Sequence, residues 1–112
     1  MTIYDEVANY ADASSAKIKK YREHMQAANW SQPQKLALAT LLATHNIDEG
    51  DVEGFIGAYG NLPFNQITDH EQQPGQGVSK VNREILNLIL EKHDDLEALE
   101  QQCEVWLEKH QD

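Results

Sequence analysis

Apolar residues recur every three or four positions over most of this chain, the mark of helices that bury one stripe. In the first thirty residues Ile3, Val7, Tyr10, Ser14, Ile18, Tyr21, Met25 and Ala28 keep that step. The spacing predicts one long helix over 2–28, with Thr2 as its cap and Asp5 and Glu6 in the first turn, where the helix dipole favours anions. A second helix is predicted over 32–45. Ser31 and Gln34 have the S-x-x-Q spacing of a capping box, and Pro33 is tolerated in a first turn. Leu36, Ala37, Leu38, Ala39, Leu41, Leu42 and Ala43 leave it little polar surface, so it should be a central element with neighbours on several sides.

A short third helix is predicted over 51–59. Asp51 can cap it, Phe55, Ile56 and Tyr59 form its apolar side, and Gly60 followed by Pro63 stops it. Gly54, Gly57 and Gly60 weaken such a helix by up to ~1 kcal/mol each relative to alanine. Their expected use is to admit a close backbone neighbour. Residues 61–78 show no periodicity and carry Pro63, Pro74, Gly75 and Gly77. They read as one long polar loop, functional, only partly ordered, or with a short extended piece around Phe64 to Thr68.

Ser79 caps the last helical region, whose stripe runs through Val81, Ile85, Leu88, Ile89, Leu96, Leu99, Cys103, Trp106 and Leu107. Lys92, His93, Asp94 and Asp95 interrupt it. Two helices, 79–92 and 95–110, are favoured over one continuous rod, with a break at His93 and a new cap at Asp94 or Asp95. The expected fold is a single all-α domain over 1–112, a small bundle of four to five helices with a long or broken C-terminal helix. The heptad-like step would also suit a homodimer through that C-terminal helix, with Leu96, Leu99, Cys103 and Trp106 as the seam.

Charge then separates the halves. Nineteen acids against nine bases give a formal net charge of −10. Residues 1–30 are neutral, with the cluster Lys17, Lys19, Lys20 and Arg22 balancing four acids, whereas residues 47–78 carry six acids and no base. Binding to nucleic acid or to an anionic membrane is disfavoured, since both are polyanions. Any electrostatic partner should be basic. Asp94, Glu97, Glu100, Glu104 and Glu108 recur at helical spacing and share one face, about one carboxylate per 5.4 Å turn. Asp48, Glu49, Asp51 and Glu53 make a second patch. Phe64 stands out among the aromatics as a loop residue able to anchor a contact.

Signatures of catalysis and of cofactors are missing. His24, His45, His70, His93 and His110 never form H-x-x-x-H, and the run around Asp48 and Asp51 lacks EF-hand register. The glycine triplet is neither a dinucleotide fingerprint nor a P-loop. Cys103 lies in an apolar stripe among carboxylates, which suits a core residue and not a nucleophile. No enzyme, metal or cofactor is therefore expected. One cysteine and a start unlike a secretion signal suggest a cytoplasmic protein. The expected function is that of an acidic interaction protein that binds and blocks a basic surface of a macromolecular partner. A mimic of nucleic acid, of the kind that inhibits CRISPR or restriction complexes, is the specific form of that idea; a homo-oligomeric structural or assembly protein is the alternative.

Overall fold

The computed structural model describes residues 15–69 and 78–109. Among them are six helices and no strand: α1 Ser15–His24, α2 Gln32–Thr44, α3 Glu49–Tyr59, α4 Phe64–Thr68, α5 Lys80–Glu91 and α6 His93–Lys109. The all-α bundle is as the periodicity predicts, with more helices and shifted boundaries.

Helix α2 is the centre. The Ser31 hydroxyl accepts from the Gln34 main-chain N–H at 3.3 Å, and the Gln34 side chain accepts from the Ser31 N–H at 2.9 Å, so both halves of the capping box form. Every residue from Lys35 to Ala43 is buried. Thr40 is accommodated there because its hydroxyl donates to the Leu36 carbonyl at 2.8 Å, leaving no unsatisfied polar atom. Each buried leucine of this helix is worth ~1.5–3 kcal/mol relative to exposure. α1 and α6 lie against α2, α3 lies against α1 and α5, and α4 rests on α5.

α2 ends in a Schellman motif. The N–H groups of Asn46 and Ile47 donate to the carbonyls of Ala43 and Leu42, at 3.1 and 3.0 Å. Asn46 takes the left-handed conformation, φ 55°, which this motif needs and asparagine tolerates. Two contacts from α1 secure the corner. The Tyr21 hydroxyl donates to the Ile47 carbonyl, and Lys17 Nζ donates to Asn46 Oδ1 at 2.7 Å.

Several boundaries correct the sequence reading. The first helix stops at His24, not 28, and the chain turns through residues 25–28, of which Met25 and Ala28 are buried and Gln26 and Ala27 exposed. Its predicted start, including Thr2, lies outside the described residues. α3 begins at Glu49 with Asp48 as its cap, because the Asp48 carboxylate accepts from the Gly50 N–H at 2.9 Å; Asp51 falls inside the helix. Gly54 and Gly57 face open space and admit no backbone neighbour. At Gly60 the Asn29 backbone does approach, its N–H donating to the Gly60 carbonyl at 2.7 Å, while a Cβ there would stand 2.6 Å from the Ile56 carbonyl oxygen of its own helix. Part of the expected loop is helix α4, while residues 70–77 lie outside the described set. The break near His93 occurs at Lys92, and Asp94 and Asp95 form the first turn of α6 instead of capping it.

Candidate acidic interface

Helix α6 has two unlike sides. Leu96, Leu99 and Cys103 are buried against α2. That seating turns Asp94, Glu97, Glu104 and Glu108 outward, and all four are exposed. Glu100 departs from the ladder. It is half-buried and accepts a hydrogen bond from the Gln34 side chain. Burial raises its carboxyl above the ordinary range, the Gln34 contact opposes that, and the neighbouring Glu104 and Glu97 charges add to it. Gln34 therefore ties the α2 cap to α6 through one amide.

Beside this contact is a cleft of about 230 Å³ lined by residues of α2, α4 and α6, among them Gln34, Asn65, Thr68, His93, Glu97 and Glu100. His93, Asp94 and Glu97 can each bring one ligand atom within 4.8 Å of the others. This grouping lacks the H-x-x-x-H pattern; its signal in the sequence is a histidine and a glutamate four apart, at 93 and 97, with an aspartate between them. Two of the three groups are exposed, and the positive end of the α6 dipole opposes a cation there. The arrangement is a candidate metal set and no more.

The second acidic group is carried by other neighbours. Asp48 and Glu49 share a cleft of about 510 Å³ with Lys17 and Lys20 of α1, and Glu49 approaches His24 Nε2 at 3.4 Å. Asp51 is half-buried and Glu53 exposed. Positive groups thus offset this patch locally. On its own helix the α6 stripe has Lys109, exposed at its far end, and His93 at its start, whose Nδ1 lies 3.5 Å from Asp94 Oδ1.

Phe64 is not a surface anchor. It is 7% exposed and meets Trp30 edge-on, while the Trp30 indole N–H donates to the Leu62 carbonyl at 2.9 Å. The residues expected at an inter-chain seam are also used within the chain: Leu96, Leu99 and Cys103 are core, and Trp106 packs beside them. Cys103 is inert for a physical reason, since burial pushes its thiol up to about 12 against the opposing pull of Arg22.

No protein family matches the chain, and neither a curated protein nor a solved structure shows significant similarity to it. Among the described residues no helix is long and apolar enough to cross a membrane.

Proposed function

We propose that this is a non-enzymatic acidic protein that binds and blocks a basic surface of a macromolecular partner through the outer side of α6. One observation carries the reading: Asp94, Glu97, Glu104 and Glu108 stand in water along one helix whose opposite side is locked to the core. The stripe spans roughly 21 Å at 1.5 Å per residue. With Glu100 turned to Gln34, the four remaining charges lie about 7 Å apart on average, roughly half the density of a nucleic-acid strand with one per ~3.4 Å, but they present the same sign in a row. Rigid backing matters because the charges need no ordering when a basic groove arrives. In its most specific form the protein imitates nucleic acid and inhibits a nucleic-acid-binding complex of the CRISPR or restriction type.

The structure selects the variant that tests this. Glu97, Glu104 and Glu108 are exposed, whereas Glu100 touches Gln34, so the informative triple reversal is Glu97→Lys, Glu104→Lys and Glu108→Lys. A pull-down from host lysate should capture a nucleic-acid-binding protein with the wild type, and lose it with the triple variant and in high salt. Equal capture by a folded triple variant ends the proposal.

A further inference from the structure

Among the described residues the basic cluster of α1 makes no ion pair with an acid. In a chain with nineteen carboxylates, no Lys or Arg makes an ion pair with one among the described residues; the two such contacts both use histidine. Lys19 and Arg22, one turn apart on α1, instead line an open cleft of about 450 Å³ with Lys35 of α2. Gln26, Gln32 and the single acid Glu23 complete the lining.

Lys35 is the unusual member. It is 8% exposed, and its ammonium has one hydrogen bond, to the Gln26 carbonyl at 3.3 Å. That bond gives it a structural task at the end of α1, where a cation is favoured. It leaves two donors and a full charge with no ion pair to an acid among the described residues, in a setting where an unpaired ammonium is costly. The surroundings make the imbalance greater. Arg22 is steadied by the Gln32 side-chain oxygen at 3.4 Å, and Gln32 opens α2, whose positive dipole end adds to the same field. Three cations from two helices, one of them nine-tenths buried, thus surround a space the size of a small-ligand site.

We infer that this cleft binds the phosphate group of a small soluble ligand. Arg22 supplies the planar fork that matches two phosphate oxygens, Lys19 and Lys35 supply point charges, and the Gln26 and Gln32 amides can donate further hydrogen bonds. Glu23 offers an acceptor for a hydroxyl or amine on the rest of the ligand. A long polyanion fits less well, because the net charge of −10 repels it beyond the reach of three cations.

The test is a titration of the full chain with inorganic phosphate and with pyrophosphate at constant ionic strength, followed by ¹H–¹⁵N NMR including the arginine side-chain signal. The expected result is saturable shifts confined to Arg22, Gln26, Gln32 and Lys35, with affinity at least about tenfold weaker in Arg22→Gln and in Lys19→Gln. Lys19 is exposed and Arg22 half-buried, so Lys19→Gln keeps the test valid even where Lys35→Met fails to fold. Shifts that do not saturate, that chloride reproduces, or that survive both substitutions overturn the inference. So does a single-stranded oligonucleotide that binds through the same residues more tightly than pyrophosphate. The triple reversal on α6 raises the net charge by six and so can strengthen phosphate binding through the general field, but the same residues should shift and Arg22→Gln should still weaken it, which keeps this site separate from the blocking surface.

Discussion

The indole of Trp30 and the ring of Phe64 meet edge-on, with centroids 5.3 Å apart and planes at 69°. The contact fixes α4, a helix of five residues that is too short to persist alone. Phe64 and Ile67 are its buried side chains, and Pro63 starts it without a side-chain cap. Phe64→Ala should therefore destabilise the protein by ~3 kcal/mol or more, through lost burial and the cavity left behind. Urea unfolding followed by tryptophan fluorescence measures it. A loss under ~0.5 kcal/mol, the size usual for surface substitutions, would place the ring outside the core.

Glu100 should make stability depend on pH in an identifiable direction. Its carboxyl is raised in the folded state, chiefly by burial, so the folded protein holds that proton to higher pH than the unfolded chain does. The contribution of this group is most favourable below the ordinary carboxylate pKa and is lost as pH rises through the raised folded value. Glu100→Gln removes the penalty while keeping a group that can bond to Gln34. The variant should be more stable than wild type at neutral pH, and the difference should shrink as pH falls below the ordinary carboxylate range. A difference that stays constant with pH would show that Glu100 does not titrate differently on folding.

Gly54 and Gly57 are exposed within α3, and a Cβ at either meets nothing within 4 Å. Alanine there reduces the freedom of the unfolded chain and improves helix propensity, so Gly54→Ala and Gly57→Ala should each stabilise by ~0.5–1 kcal/mol. Gly60→Ala should act in the opposite sense, because its Cβ would collide with the Ile56 carbonyl and force the corner that Asn29 closes by donating to the Gly60 carbonyl at 2.7 Å. Thermal melts of the three single variants separate the cases. The sign at Gly60 decides whether the glycines are there for packing or are simply tolerated.

The legible parts of the sequence were those with a local cause. The Ser31 capping box, the Ser79 cap and the all-apolar run of α2 need only neighbours a few residues away, and each is present as read. Asp48 displaced Asp51 as the cap of α3 because two aspartates three apart compete, and the Schellman turn through Asn46 and Ile47 delivers the chain in extended form at Asp48. α4 was hidden because its stability comes from Trp30, thirty-four positions away in sequence, and not from its five residues. The acidic ladder was visible as spacing alone. That Glu100 leaves it for Gln34 depends on how α6 seats on α2, which no window along the chain contains.

That seating has a chemical reporter in Cys103, which is 0% exposed on the inner side of α6. Only the thiolate reacts with disulfide reagents, and a thiol held at about 12 is ionised to about one part in ten thousand at pH 8. Labelling of the native protein should then proceed only through opening of α6 from α2, with a rate set by the fraction open, and be fast in denaturant. Stoichiometric labelling of the folded protein within seconds would turn Cys103 outward, and with it rotate the carboxylates of α6 toward the core. The same experiment on the Glu97, Glu104 and Glu108 reversal should give the native rate within a few-fold. Slow labelling with lost partner binding would locate the defect in the charges themselves, since the helix that carries them would still be in place.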